Sequence, residues 1–220
     1  MIKLYDFELS GNCYKVRLML SILGLTYETE NVEFFPGRQH KSEAFLRVNP
    51  LGQLPALQDG DLVLRDAQAI LVYLASRYDP SRNWYPTGSP ETMGKITMWL
   101  AFADSLTNSI SSARMHDLFF YDFDVEQCRQ RAHQLLRILD EHLWFEESQG
   151  RQWLCTADHA SIADVACFPY VMLSDEADIP LIDYPAVRRW TDRIKRLEGF
   201  TLMAGIFPTS AAPPERAVAL

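Results

Sequence analysis

The spacing of apolar residues changes character about a third of the way along the chain. Up to about residue 78, short strand-like runs alternate with runs at helical spacing. Ile2–Phe7 reads as a strand. Asn12–Leu23 carries Val16, Met19, Leu20 and Leu23 on one face, and Gly24 ends it. Tyr27–Val32 is a second, weaker strand, and Ser42–Val48 is a short helix. Leu54–Gln58 and Leu62–Leu64 flank Asp59-Gly60-Asp61, a strong hairpin signal. Asp66–Tyr78 then places Ala67, Ile70, Leu71, Leu74 and Tyr78 on one side of a helix.

The predicted order is β-α-β-α-β-β-α. Its first βαβ unit needs a crossover and hence a parallel pair, whereas the hairpin is antiparallel. This is the order of a thioredoxin-like α/β domain, expected over residues 1–78. Residues 79–90, with three prolines and a glycine, read as a linker. An all-helical domain is expected over 91–220, with no strand signal. Two long helices are predicted over 91–117 and 123–147, the second with Cys128, Ala132, Leu135, Leu139 and Leu143 down one side. Ser161–Leu173 and Pro185–Leu197 make two more, the last burying Val187, Trp190, Ile194 and Leu197, with Pro185 in its first turn and Gly199 at its end. Pro169 is expected to kink or interrupt the Ser161 helix unless the helix is packed well enough to absorb it. The tail from Phe207 is expected to be loose.

Composition narrows the function. The net charge of -8 over 220 residues argues against a nucleic-acid binder, which needs a basic face. Cys13, Cys128, Cys155 and Cys167 form no CxxC pair and have no zinc-site spacing with histidine, so free thiols and no metal are expected. No apolar run approaches the roughly 20 residues that span a bilayer, and Met1-Ile2-Lys3-Leu4-Tyr5 opens without an apolar leader. A cytoplasmic setting with no membrane partner is expected.

Three short segments carry candidate chemistry. In Asn49-Pro50-Leu51-Gly52-Gln53-Leu54-Pro55 a turn rich in proline and glycine enters an apolar strand, and the Leu54–Pro55 bond is open to either isomer. Asp66-Ala67 opens a helix whose free N–H groups can hold a carboxylate; Asp66 can cap that helix or pair with an ammonium. Ser10 precedes the first helix and can be its cap or face a ligand.

With these segments in this order, the chain resembles the cytosolic glutathione transferase family, in particular its serine-type, bacterial-like members. Leu4-Tyr5 through Ser10-Gly11-Asn12 to Lys15-Val16-Arg17 is similar to the family's first strand and helix. Asn49–Leu57 followed by Asp66–Leu74 is similar to its glutathione site, and Ser161-Ile162-Ala163-Asp164 to its capping box in the helical domain. The resemblance runs to about residue 200.

It implies glutathione as co-substrate, with no tightly bound cofactor. The γ-glutamyl amino group would meet Asp66, and its carboxylate the N–H of Ala67. The cysteinyl backbone would pair with Leu54 ahead of Pro55, with Gln53 nearby, and His40 and Lys41 would meet the glycine carboxylate. Taken alone, His40 and Lys41 are a solvated loop. Ser10 would stabilise the thiolate, which attacks a small hydrophobic electrophile, and Asn12 could donate to the same sulfur. Tyr5 and Cys13 compete for this role: Tyr5 is one residue off the position at which some members carry a strand tyrosine, and Cys13 is three residues past the position of a catalytic cysteine. Trp99, Phe102, Ser109, Met115, His116 and Phe119 are candidates for the second-substrate wall, although Phe and Met at helical spacing also suit a core. Ala67 stands where many members have serine, which would weaken glutathione binding. A glutathione-dependent disulfide reductase or peroxidase and a non-catalytic binding protein are the alternatives. A homodimer is expected by resemblance.

Overall fold

The computed structural model describes residues 1–206; the tail from Phe207 lies outside the described residues. Four strands form one mixed sheet in the order β2-β1-β3-β4. Strand β1 (Ile2–Asp6) runs parallel to β2 (Tyr27–Asn31) and antiparallel to β3 (Ala56–Asp59), which pairs antiparallel with β4 (Leu62–Arg65). Leu4 faces Leu57 across the two central strands. The edge strand β2 carries Glu28, Thr29 and Glu30 in the open, which discourages further pairing.

The alternation of β1 sorts the sheet into two faces. Ile2, Leu4 and Asp6 point into the core, under α1 (Gly11–Ile22) and α3 (Ala67–Tyr78), which pack on each other. Tyr5 points the other way, edge-on to Phe45 of α2 (Glu43–Val48) at 6.0 Å. This is a thioredoxin-like domain followed by an all-helical one.

The helical part opens with α4 (Pro90–Leu106), whose Ser89 cap and leading proline fit a helix start. The single helix expected over 91–117 is not continuous. A π-helical turn, Thr107–Ser111, separates α4 from α5 (Ser112–Phe119). Hydroxyls in this polar run bond back to the preceding turn: Thr107 to Ala103 O at 2.9 Å, Ser109 to Ser105 O at 3.0 Å, Ser112 to Asn108 O at 3.0 Å. Such back-bonding competes with the regular ladder. Helix α6 (Val125–Ser148) buries Ala132, Leu135, Leu136, Leu139 and Leu143, while Cys128 is only half-buried at its margin.

Helix α7 (Ile162–Met172) is the centre of the molecule. Every residue from Ile162 to Val171 is buried, and the helix packs against α1, α3, α4 and α8 (Pro185–Ile194). Pro169 does not interrupt it. Packing on all sides holds the helix through the missing N–H donor, and Leu173 N still bonds to Pro169 O at 2.9 Å.

The start of α7 is fixed by one buried carboxylate. Asp164 accepts Ser161 N at 2.9 Å, Leu154 N at 3.2 Å and Trp190 Nε1 at 2.9 Å, and Ser161 Oγ caps Ala163 N at 3.3 Å. The chain between α3 and α4 is anchored beside it: buried Asp79 accepts Trp84 N at 2.9 Å, and Trp84 O accepts Ile162 N at 3.0 Å. The last described segment folds back onto α1. Tyr14 donates to Thr201 O at 2.6 Å, and Gly199, at φ +77°, leaves no room for a side chain, since a Cβ would lie 2.7 Å from Ile22 Cα.

Asp164→Ala would remove the acceptor of four buried donors, Ser161 N and Oγ, Leu154 N and Trp190 Nε1, and a buried donor left unpaired costs about 1–3 kcal/mol. A loss of at least about 3 kcal/mol in urea unfolding is expected; a loss under about 1 kcal/mol would show that water replaces the carboxylate.

Candidate active site

A cleft of about 430 Å³ opens where the C-terminal end of β1 and the β3 entry loop face α4, the π turn and α5. Ser10, Asn12, Gln53, Leu54, Pro55, Asp66 and Ala67 line one side. Asp104, Thr107, Ser111, Arg114, Met115, Phe119 and Tyr170 line the other. A larger polar groove of about 750 Å³ beside His133, Arg137 and Tyr184 holds none of the candidate residues.

Ser10 caps α1, accepting Cys13 N at 3.2 Å. Capping uses one lone pair and leaves the hydroxyl proton free to donate, so the cap and a ligand-facing role coexist in one side chain. Gly11 allows this approach, because a Cβ there would lie 2.8 Å from the Tyr170 ring. Beside it, the Asn12 Oδ1 is buried and has no partner among the described residues. The loop is held from below by Arg17, which pairs with buried Asp6 and donates to Glu8 O at 2.8 Å. It is held from the helical side by buried Arg114, which pairs with Glu176 and donates to Leu9 O at 2.7 Å.

At the other end of the cleft, Asp66 caps α3, accepting Ala69 N at 2.9 Å. Its backbone lies at φ 80°, ψ 124°. That conformation costs an L residue about 1–3 kcal/mol and is typical of functional turns. Ala67 is buried at the first turn. The Leu54–Pro55 bond is cis. Asn49, buried, holds the loop ahead of it, donating to Gln53 O at 2.8 Å and accepting Leu51 N at 3.1 Å.

His40 is not part of a solvated loop. It is buried, stacked on Phe34 at 4.2 Å, and its Nδ1 has no partner among the described residues. Burial, aided by the Lys41 and Arg38 charges, lowers its pKa. Lys41 is exposed and donates to Leu51 O at 3.1 Å. Both lie against Gly52, where a Cβ would sit 2.8 Å from His40 O and 2.9 Å from Lys41 Nζ. They therefore flank Gln53 from behind, and neither lines the cleft.

The apolar wall consists of Met115, Phe119, Phe7 and Phe34, with Phe7 and Phe34 5.5 Å apart. Trp99, Phe102 and Ser109 lie elsewhere. Trp99 is buried between Phe102 and His142, at 4.8 and 4.7 Å. Ser109 is buried in its own helix turn. His116 contacts Asp117 at 2.9 Å. The cleft-lining positions of this segment, Asp104, Thr107, Ser111, Met115 and Phe119, share one helical face, and Trp99, Phe102 and Ser109 lie off it.

The two competing nucleophile positions are also placed. Tyr5 lies on the outer sheet face, its hydroxyl 3.5 Å from Gln58. Cys13 is fully buried, and burial, reinforced by the Asp6 charge, pushes its thiol up to about 12, so it stays protonated at neutral pH.

Lys15, in the Lys15-Val16-Arg17 run of α1, is a neighbour of the cleft to which the sequence assigns no role. It is fully buried between α1, α7 and the π turn, with one hydrogen bond, to Thr107 Oγ1 at 3.3 Å, and the Tyr170 ring 5.3 Å away. Burial lowers its pKa to about 8, against the opposing pull of Cys167, Asp104 and Asp66. Because burial keeps the Cys167 thiol protonated, the two carboxylates are the charges that count. A lysine inside a run of apolar helix positions was the available signal.

Two family models match the chain. The one described as "Glutathione S-transferase, N-terminal domain" covers residues 4–82, and "Glutathione S-transferase, C-terminal domain" covers 122–193. Human glutathione S-transferase theta-1 is 30% identical over 204 residues, 90% of this chain and 84% of that protein. The crystal structure of a glutathione S-transferase from Pseudomonas fluorescens superposes with a TM-score of 0.82 at 30% identity, covering 92% of this chain and 98% of that one. A glutathione transferase homolog from Lodderomyces elongisporus, solved with two GSH per subunit, gives a TM-score of 0.80 at 25% identity, covering 90% and 94%. The chain belongs to the glutathione S-transferase family, and glutathione is the substrate or ligand that family uses.

The buried lysine predicts a pH signature. Its unfolded pKa is about 10.5, so between about 8 and 10.5 the folded chain binds fewer protons than the unfolded one. Parent stability rises with pH across that window. Lys15→Met is expected to be the more stable protein at pH 7, by on the order of 2–3 kcal/mol, and to lose the advantage as pH approaches 10.5. Urea midpoints of both proteins across the window test this; a gap that does not change with pH would refute it.

Proposed function

We propose that this protein conjugates the glutathione thiolate to small hydrophobic electrophiles, with Ser10 stabilising the thiolate. The supporting observation is the Ser10 hydroxyl at the N-terminus of α1, its proton unused by the cap, in one cleft with Asp66, Ala67 and the Met115–Phe119 wall. A free thiol ionises near pH 8.5. The hydroxyl and the partial positive charge of the helix both favour the anion. The thiolate sulfur forms a bond to the electrophilic carbon. Either a leaving group departs with its bonding electrons, or a polarised double bond takes them up and is then protonated.

Glutathione would lie along the first side of the cleft. Its γ-glutamyl ammonium is assigned to Asp66, the adjacent carboxylate to the N–H of Ala67, the cysteinyl backbone to Leu54 beside Pro55, and a further bond to Gln53. The glycine carboxylate would extend past Gln53 toward exposed Lys41, with His40 buried behind it. Met115 and Phe119 would hold the electrophile, and Asn12 the sulfur's second contact. The cytoplasm, where thiols stay reduced, suits this chemistry; among the described residues no helix is long and apolar enough to cross a membrane. A homodimer is part of the same reading, with exposed Leu51, Leu62 and Val63 among the apolar positions it would cover.

Glutathione-disulfide reduction is the second reading, favoured by the relative that holds two GSH per subunit. Conjugation to an aryl halide separates the two. Ser10→Ala should lower kcat/KM by about 10- to 100-fold, the value of one hydrogen bond to a charged group, and Cys13→Ala should leave it within about twofold. Conjugation in neither parent nor variants, alongside disulfide exchange lost only in Cys13→Ala, would replace this reading with thiol-disulfide chemistry. Ala67→Ser should restore a donor to the γ-glutamyl carboxylate and lower the glutathione KM by about tenfold or more; an unchanged KM would remove that assignment.

A further inference from the structure

Lys15 has no structural partner that justifies a buried charge. It is wholly inaccessible, yet its ammonium makes a single hydrogen bond among the described residues, at 3.3 Å, where three donors are available. Lone buried cations are costly and are retained where they serve a function.

Its surroundings are the cleft wall seen from behind. Thr107, its acceptor, and Tyr170, beneath its ammonium, both line the cleft. Thr107 spends its own proton on Ala103 O at 2.9 Å, so its oxygen is an acceptor toward Lys15. Helical side chains lean toward the N-terminus of their helix. For Lys15 that direction leads over Gly11, where the Tyr170 ring presses within 2.8 Å of the missing Cβ. The ammonium thus stands behind the first turn of α1, next to the Ser10–Asn12 edge. The charged groups around it are Asp66 at the head of α3 and Asp104 on α4. From α7 it meets only Cys167, which stays protonated, and Tyr170, whose hydroxyl burial pushes up.

We propose that Lys15 is a positioning residue that supplies a full positive charge behind the sulfur subsite, adding to the α1 dipole and to the Ser10 hydroxyl in favouring the glutathione thiolate. This rests on the conjugation reading above. Lys15 touches no substrate and accepts no proton from it; the thiol proton leaves to water. Asp66 and Asp104 help keep the ammonium charged at neutral pH despite burial. Raising the pH past about 8 removes that charge, by which point the thiol itself ionises freely.

The test is a titration of enzyme-bound glutathione, followed by the ultraviolet difference absorbance of its thiolate, with kcat and KM measured alongside. In the parent, the bound thiol should ionise below the free value. Lys15→Met, close in volume, should raise the bound thiol pKa by about one unit, the scale of one charge at an effective dielectric near 20. It should lower kcat/KM at pH 7 by up to about tenfold with the glutathione Kd little changed, in the same protein expected to be more stable. Thr107→Val, which keeps Lys15 but removes its acceptor, should shift the pKa the same way by less. A thiol pKa that stays put in both variants overturns the proposal while leaving the transferase reading intact. A higher Kd with an unmoved thiol pKa overturns it in favour of a binding role. A parent that binds glutathione without lowering its pKa overturns both.

Discussion

The structure depends on the buried carboxylate of Asp164. A charge without solvent is tolerable only where donors surround it, and here the donors come from three separate stretches: Ser161 at the start of α7, Leu154 in the loop before it and Trp190 on α8. Burial raises the Asp164 pKa while these donors pull it down. Satisfying that one group aligns α7, and α7 is the surface on which α1, α3 and α4 rest. The cleft inherits its shape from that surface, since Tyr170, two turns further along α7, sets how closely α1 can approach.

The site is also assembled by buried polar contacts that join distant parts of the chain. Arg114 reaches from α5 to the carbonyl of Leu9, and Asn49 bridges the turn into Gln53. These side chains occupy the backbone groups around the cleft and leave few positions with spare donors or acceptors. Ser10 and Asp66 are two of them: each caps a helix and keeps bonding capacity toward the cleft, because a cap uses only part of a hydroxyl or carboxylate.

The elements of the small domain were legible in the sequence because each has its own local signal: alternation in β1, the Asp59-Gly60-Asp61 hairpin, and the polar residue ahead of each helix. The Ser161–Asp164 box was legible for the same reason. Pro169 does not interrupt α7, because the helix is held from all sides and packing outweighs the missing donor. Trp99 and Ser109 lie off the helical face that lines the cleft, and a single chain does not say which face of a long, largely apolar helix meets the core and which meets a ligand. His40 looked solvated because a polar residue in a loop usually is; its stacking on Phe34 is a tertiary fact. Lys15 and Arg114 escaped because their meaning lies in partners 92 and 105 positions away.

The return of the last described segment to α1 has a consequence for how this chain is made. Tyr14 is tied to Thr201, and Gly199 lies on the end of α1, 187 positions from Tyr14 to its acceptor. Synthesis proceeds from the N-terminus, so the small domain leaves the ribosome long before α7 and the 199–201 segment exist to cover it. The face of α1 that α7 and the 199–201 segment cover is then bare until late in translation, and the nascent small domain needs shelter there.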